Sequence, residues 1–146
     1  MKTEDIISQW EKDREFDLTN LTRESADIPK LHNKYYQYYM AEGYKQRQMD
    51  LELKKFKQDK IDWYLGYMAE EDIKDYGWKP APDRKYLKSD VKDAVDADQD
   101  VIDRTLRKSI QDMKVEYLEQ IIRQINNRGF QLKTMVDWER FRTGSL

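Results

Sequence analysis

Between residues 45 and 60 the chain sets six cations, Lys45, Arg47, Lys54, Lys55, Lys57 and Lys60, against three carboxylates, Asp50, Glu52 and Asp59, a local balance of +3. Ammonium and guanidinium groups carried on one helix can neutralise phosphates without reading base sequence. Aromatic side chains close by, at Tyr38, Tyr44, Trp63, Tyr64 and Tyr67, offer faces on which unpaired bases can stack. This stretch is the candidate phosphate-binding surface, with Arg47, Lys54, Lys55, Lys57 and Lys60 among its cations and Tyr64 among its stacking faces. The interleaved acids keep a plain solvated helix face as the competing reading, because charge runs are usually just that.

Other chemistry lacks its ingredients. His32 is the single histidine and there is no cysteine, so neither a conventional zinc site nor a nucleophilic triad containing histidine can be assembled. The carboxylates are numerous, yet none accompanies a glycine-rich loop that would announce a phosphate or magnesium site. No catalytic residue, metal or cofactor is expected. A net charge of −2 on 146 residues rules out wholesale coating of nucleic acid, so any such binding must be local. The sequence has no run approaching the roughly 18 apolar residues that span a bilayer, and its first residues lack the apolar stretch of a signal peptide. A cytosolic protein without membrane association is expected.

The elements that must position these groups are helices. Charged and hydrophobic residues each make up 38% of the chain while glycine and proline are scarce, which suits long solvated helices sharing apolar stripes. Acidic Glu4 and Asp5 ahead of Ile6, Ile7 and Trp10 predict a short amphipathic helix over residues 3–15. Leu18, Leu21 and Ser25 follow at helical spacing until Pro29 enforces a kink or a new start. From residue 30 to about 67 no proline intervenes, and Leu31, Tyr35, Tyr39, Met49, Leu53, Phe56 and Trp63 recur at near-heptad spacing, predicting one long helix with a bend or close packing at Gly43. Pro80 and Pro82 make the next segment a connector, fastened through Tyr76, Trp78 and Tyr86.

A short helix at residues 89–95 and then a second long helix follow. Its apolar positions include Val101, Leu106, Ile110, Met113, Tyr117, Leu118, Ile121, Ile122 and Ile125, advancing by threes and fours over roughly 45 Å. The spacing predicts a stop at residues 127–130, with Gly129 left-handed and Phe130 folded back onto Ile125. Thr134 and Asp137 approximate a capping box before a terminal helix at 135–142 that turns Trp138 and Phe141 inward.

A helix this long carries more apolar surface than short neighbours can cover. Tyr117 with Ile121 and Leu118 with Ile122 form two adjacent columns, wider than a dimer seam. Leu106, Ile110, Met113, Tyr117, Leu118, Ile121, Ile122 and Ile125 are thus the candidate oligomerisation residues, although pairing with the first long helix inside one chain would cover one column. The expected fold class is all-α: two long helices plus short ones, the C-terminal long helix coiled-coil-like and oligomerising. The expected division is a helical DNA-binding region at 1–76, a connector at 77–95 and oligomerisation helices at 96–146.

The runs Leu87-Lys88-Ser89-Asp90, Ala97-Asp98-Gln99-Asp100-Val101-Ile102, Asn127-Arg128-Gly129-Phe130 and Asp137-Trp138-Glu139-Arg140-Phe141 resemble the C-terminal half of the UvsY recombination mediators of tailed phages. Ile28-Pro29-Lys30-Leu31-His32-Asn33-Lys34-Tyr35 and Asp62-Trp63-Tyr64-Leu65-Gly66 resemble its N-terminal half in the same order. The resemblance implies a mediator that binds single-stranded DNA, assembles as a hexamer or heptamer through its C-terminal region, and helps a RecA-like recombinase displace the single-strand-binding protein, in the cytoplasm of an infected host cell. It also implies a Lys-x-Arg-Leu DNA-binding pattern, which falls on Gln58, Asp59, Lys60 and Ile61, so that Lys60 takes the arginine's role and Gln58 stands in place of the lysine, beside Lys57 and Lys55. The alternative is a structural coiled-coil adaptor that binds only proteins, and a helical enzyme using clustered carboxylates is a more distant third.

Overall fold

The structure is a computed structural model that describes residues 1–144. Among them are seven helices and no strand: α1 (Thr3–Asp13), α2 (Leu21–Ala26), α3 (Ile28–Leu65), α4 (Glu70–Tyr76), α5 (Lys88–Asp96), α6 (Gln99–Asn126) and α7 (Arg128–Thr143). The all-α class with two long helices is as the periodicity predicts. Acidic Glu4 and Asp5 sit in the first turn of α1, where they complement the helix dipole. The side chain of Asn20 caps α2 by accepting from the backbone N–H of Arg23 at 3.1 Å. Pro29 lies in the first turn of α3, where a missing N–H removes no helical bond. α3 passes through Gly43 without interruption, and a Cβ there would meet nothing within 4 Å. Gly43 therefore serves no close packing.

The chain divides into two compact units, Met1–Tyr44 with Asp112–Leu146, and Lys45–Gln111. In the first, Ile6 and Trp10 of α1, Tyr35 of α3, and Leu118, Ile121 and Ile125 of α6 form a buried cluster. The Trp10 and Tyr35 rings meet edge to face at 5.4 Å, and the Tyr35 hydroxyl donates to Asp13 at 2.8 Å. Burial followed by that bond raises the phenol's pKa, so the ring stays neutral and anchored. Arg128, 5% exposed, donates to the carbonyls of Arg14 and Glu15 and to the Glu24 carboxylate at 3.0–3.1 Å, with its guanidinium 3.9 Å above the Phe16 ring. One cation thereby fixes the α1–α2 loop to the start of α7.

In the second unit the core is Phe56 of α3, Val91 and Val95 of α5, and Val101 of α6, with Ile61, Tyr64, Leu65, Trp78 and Tyr86 packed around it. Trp78 and Tyr86 fasten the proline-containing connector as expected. The short α4, which the apolar pattern does not announce, has Glu70, Glu71 and Asp72 in its first turn. It ends at Gly77, whose φ of 71° lets the Trp78 N–H reach back to the Ile73 carbonyl at 3.0 Å.

α6 stops at Asn126 and α7 begins at Arg128, so the predicted stop is present, but not in the predicted form. Asn127 stays right-handed at φ −87°, and Gly129 is the second residue of α7, without positive φ. Thr134 is also interior, its hydroxyl donating to the Phe130 carbonyl at 3.1 Å. Phe130, Trp138 and Phe141 are each more than 60% exposed. Arg128, bonded to the α1–α2 loop, opens α7 where a left-handed glycine cap was expected.

Candidate nucleic-acid interface

All six candidate DNA contacts lie on the part of α3 inside the second unit. Arg47, Lys54 and Lys55 are exposed and Lys57 is half-buried. Arg47 and Lys54, seven residues apart, share one face, where Lys54 pairs with Asp50 at 3.4 Å. Lys55 turns to another side and lines an acidic depression with Asp59, Asp62, Asp72, Asp75 and Tyr76. Among the described residues no carboxylate lies within ion-pair distance of Arg47, Lys55 or Lys57. The helix thus offers cations on more than one side.

Lys60 and Tyr64, both expected as DNA contacts, are instead turned inward. Lys60 is 4% exposed; its ammonium lies 3.1 Å from Asp100, 3.3 Å from Asp98 and 4.0 Å from the centre of the Trp78 ring. The Tyr64 hydroxyl donates to Asp98 at 2.7 Å, and burial first, then this bond, raise the phenol's pKa. Burial also works to raise the Asp98 carboxyl, but the Tyr64 hydroxyl, the Lys60 ammonium and the Asp100 N–H together outweigh it and hold the carboxyl below its ordinary range. This is a satisfied ionic network. It ties α3 to the start of α6, and its cation is already engaged by two carboxylates.

Arg104 and Arg107 of α6, which sequence reasoning passed over, line a depression of about 400 Å³ with Tyr76, Trp78 and Phe56. Their signal was present in the basic run Arg104-Thr105-Leu106-Arg107-Lys108, overshadowed by the apolar stripe it interrupts.

The candidate oligomerisation residues divide. In the first unit Leu118, Ile121 and Ile125 are at most 2% exposed within the chain's own core, Tyr117 and Ile122 flank it, and Met113 is exposed. In the second unit Leu106 and Ile110 are exposed. The stripe as one intersubunit surface is therefore corrected for Leu118, Ile121 and Ile125: α1 and α3 cover them within one chain. His32 stacks on Tyr36 at 5.6 Å, and among the described residues no cluster of His, Asp or Glu could hold a metal. No helix there is long and apolar enough to cross a membrane.

The family model described as recombination, repair and ssDNA binding protein UvsY matches residues 9–145. The chain belongs to the UvsY family. Comparison with curated proteins gives no significant match. Among solved structures, the UvsY recombination mediator protein of bacteriophage T4 shares the fold in three crystal lattices. The type II lattice superposes with a TM-score of 0.82 at 22% identity, covering 98% of each chain. The type IV lattice gives 0.82 at 20%, over 97% of this chain and 99% of the other, and the type I lattice 0.76 at 21%, over 94% and 98%. The UvsY resemblance drawn from short motifs thus holds across the chain.

Proposed function

We propose that this chain is a recombination mediator: it binds single-stranded DNA and promotes loading of a RecA-like recombinase in place of the single-strand-binding protein. It works by binding, without making or breaking bonds, in the cytoplasm of the infected host cell. The observation that carries this reading is the UvsY family match over residues 9–145. The cations of α3 without carboxylate partners agree with it. The 1–76 region supplies phosphate contacts through Arg47, Lys54, Lys55 and Lys57, while Lys60 and Tyr64 brace the helix from behind. Past the 77–95 connector, the helices of 96–146 assemble a homo-oligomer, a hexamer or heptamer, through exposed residues such as Leu106, Ile110 and Met113. Several protomers holding one strand would raise affinity through effective concentration.

The test joins binding of single-stranded DNA at several salt concentrations with mass determination in solution. Replacing Lys54, Lys55 and Lys57 with alanine should weaken binding and lower the salt slope by about 0.7 for each phosphate left without its cation. Absence of binding by the unaltered protein would sink the reading. Loading is tested by recombinase nucleation on strands precoated with the single-strand-binding protein, which the chain should accelerate.

A further inference from the structure

Tyr76 and Trp78 stack face to face, with ring centres 4.1 Å apart and planes 7° from parallel. Phe56 meets both edge-on at 5.5–5.8 Å. The Tyr76 hydroxyl donates to Asp59 at 2.5 Å; that bond first, then burial, push the phenol up to about 12. The ring is thus neutral and held in orientation, yet 38% exposed. Beside the rings stand Arg104, its guanidinium 3.9 Å above Phe56, and Arg107 one turn on. Both arginines are exposed, and among the described residues neither has a carboxylate within ion-pair distance. The acids on the same rim are otherwise engaged: Asp100 by Lys60 at 3.1 Å, and Asp103 by the Gln99 amide at 2.8 Å.

A fixed, partly open aromatic wall next to two planar donor groups matches one chemical unit, a base with its flanking phosphates. Bases of any identity stack on aromatic faces, and guanidinium groups grip phosphate through directed paired bonds. We infer that the depression formed by Tyr76, Trp78, Arg104 and Arg107 is a second contact for single-stranded DNA, seating one nucleotide with its base on the aromatic wall and its phosphates on the guanidinium groups. The inference rests on the single-stranded DNA binding proposed above.

The full chain is tested against a short oligothymidylate and an abasic strand of equal length. Arg104→Ala with Arg107→Ala should lower the salt slope by about 1.4 on both strands, two phosphates at about 0.7 each. Tyr76→Leu should leave the slope intact but cut the preference for oligothymidylate over the abasic strand by about fivefold or more. Circular dichroism and melting confirm that each variant folds, and Arg104→Lys with Arg107→Lys, which keeps the charge, should restore part of the slope. If the unaltered chain binds while slope and preference survive these substitutions, the inference falls and the proposed function stands. If the unaltered chain binds neither strand, the proposed function falls first. DNA binding that persists while recombinase binding disappears would assign the depression to a protein partner and overturn the inference.

Discussion

Lys60 shows how a side chain that reads as a surface charge becomes an internal brace. A lysine with two carboxylates and an indole around it is stable because its charge is compensated where water is largely excluded, and removing one member strands the others. Lys60→Met should therefore destabilise the fold by about 3 kcal/mol in denaturant titrations, yet leave the salt slope for single-stranded DNA nearly unchanged in protein that is still folded. A lowered slope would return Lys60 to the phosphate-binding surface. The Asp98 carboxyl is held below its ordinary 3.8 in the folded chain, so its contribution is fully present above about pH 4 and disappears as pH falls through the lower folded value. Asp98→Asn should lower stability at neutral pH and flatten the acid limb of the stability profile. An acid limb identical to that of the parent would show that the network contributes nothing there.

Among the elements, α7 offers the sharpest test, since the sequence predicts a left-handed cap at Gly129 and the structure places that residue in the first turn of α7. A Cβ at Gly129 would meet only Ile28 Cδ1 at 3.9 Å, an ordinary contact. Alanine restricts the unfolded chain and favours helix. Gly129→Ala should then stabilise the protein by about 0.5–1 kcal/mol, read as a higher denaturation midpoint. A drop of similar size would restore the left-handed cap. α6 makes a parallel point: its apolar positions serve a core at Leu118, Ile121 and Ile125 and remain uncovered at Leu106 and Ile110. Periodicity marks a helix as amphipathic without saying which neighbour covers each column.

For the whole molecule, this division sets the response to substitutions that would disrupt assembly. Leu118→Asp places a carboxylate at a position with 0% exposure in the first unit's core, costing several kcal/mol unless it protonates, so it should unfold that unit as judged by circular dichroism. Leu106→Asp with Ile110→Asp should keep full helicity while lowering the assembled mass in sedimentation. Strands long enough to touch several protomers should then lose far more affinity than short ones, because linked contacts act through effective concentration. If the Leu106/Ile110 double variant sediments as the parent does, assembly uses another surface; if it is dissociated yet grips long strands undiminished, multivalent holding is wrong.

Local chemistry determined much of this protein from sequence alone. The spacing of Ile6 and Trp10, the position of Pro29, and the apolar rows of the two long helices specify helices because each depends on neighbours within a few turns. The absence of cysteine and of a second histidine excluded whole classes of chemistry, and the short motifs pointed to the family. Tertiary structure decided what such reasoning cannot reach. Whether Lys60 faces DNA or the interior depends on Asp98 and Asp100, about forty residues away along the chain. Whether Gly129 ends a helix depends on Arg128 reaching back to the loop after α1. Whether Leu118 meets a second subunit or its own chain depends on the core that Trp10 and Tyr35 form with it. Tyr76, Trp78, Arg104 and Arg107 form one wall only because α4, the connector and α6 converge on Phe56. These residues are distant in sequence, and only the closed chain brings them together.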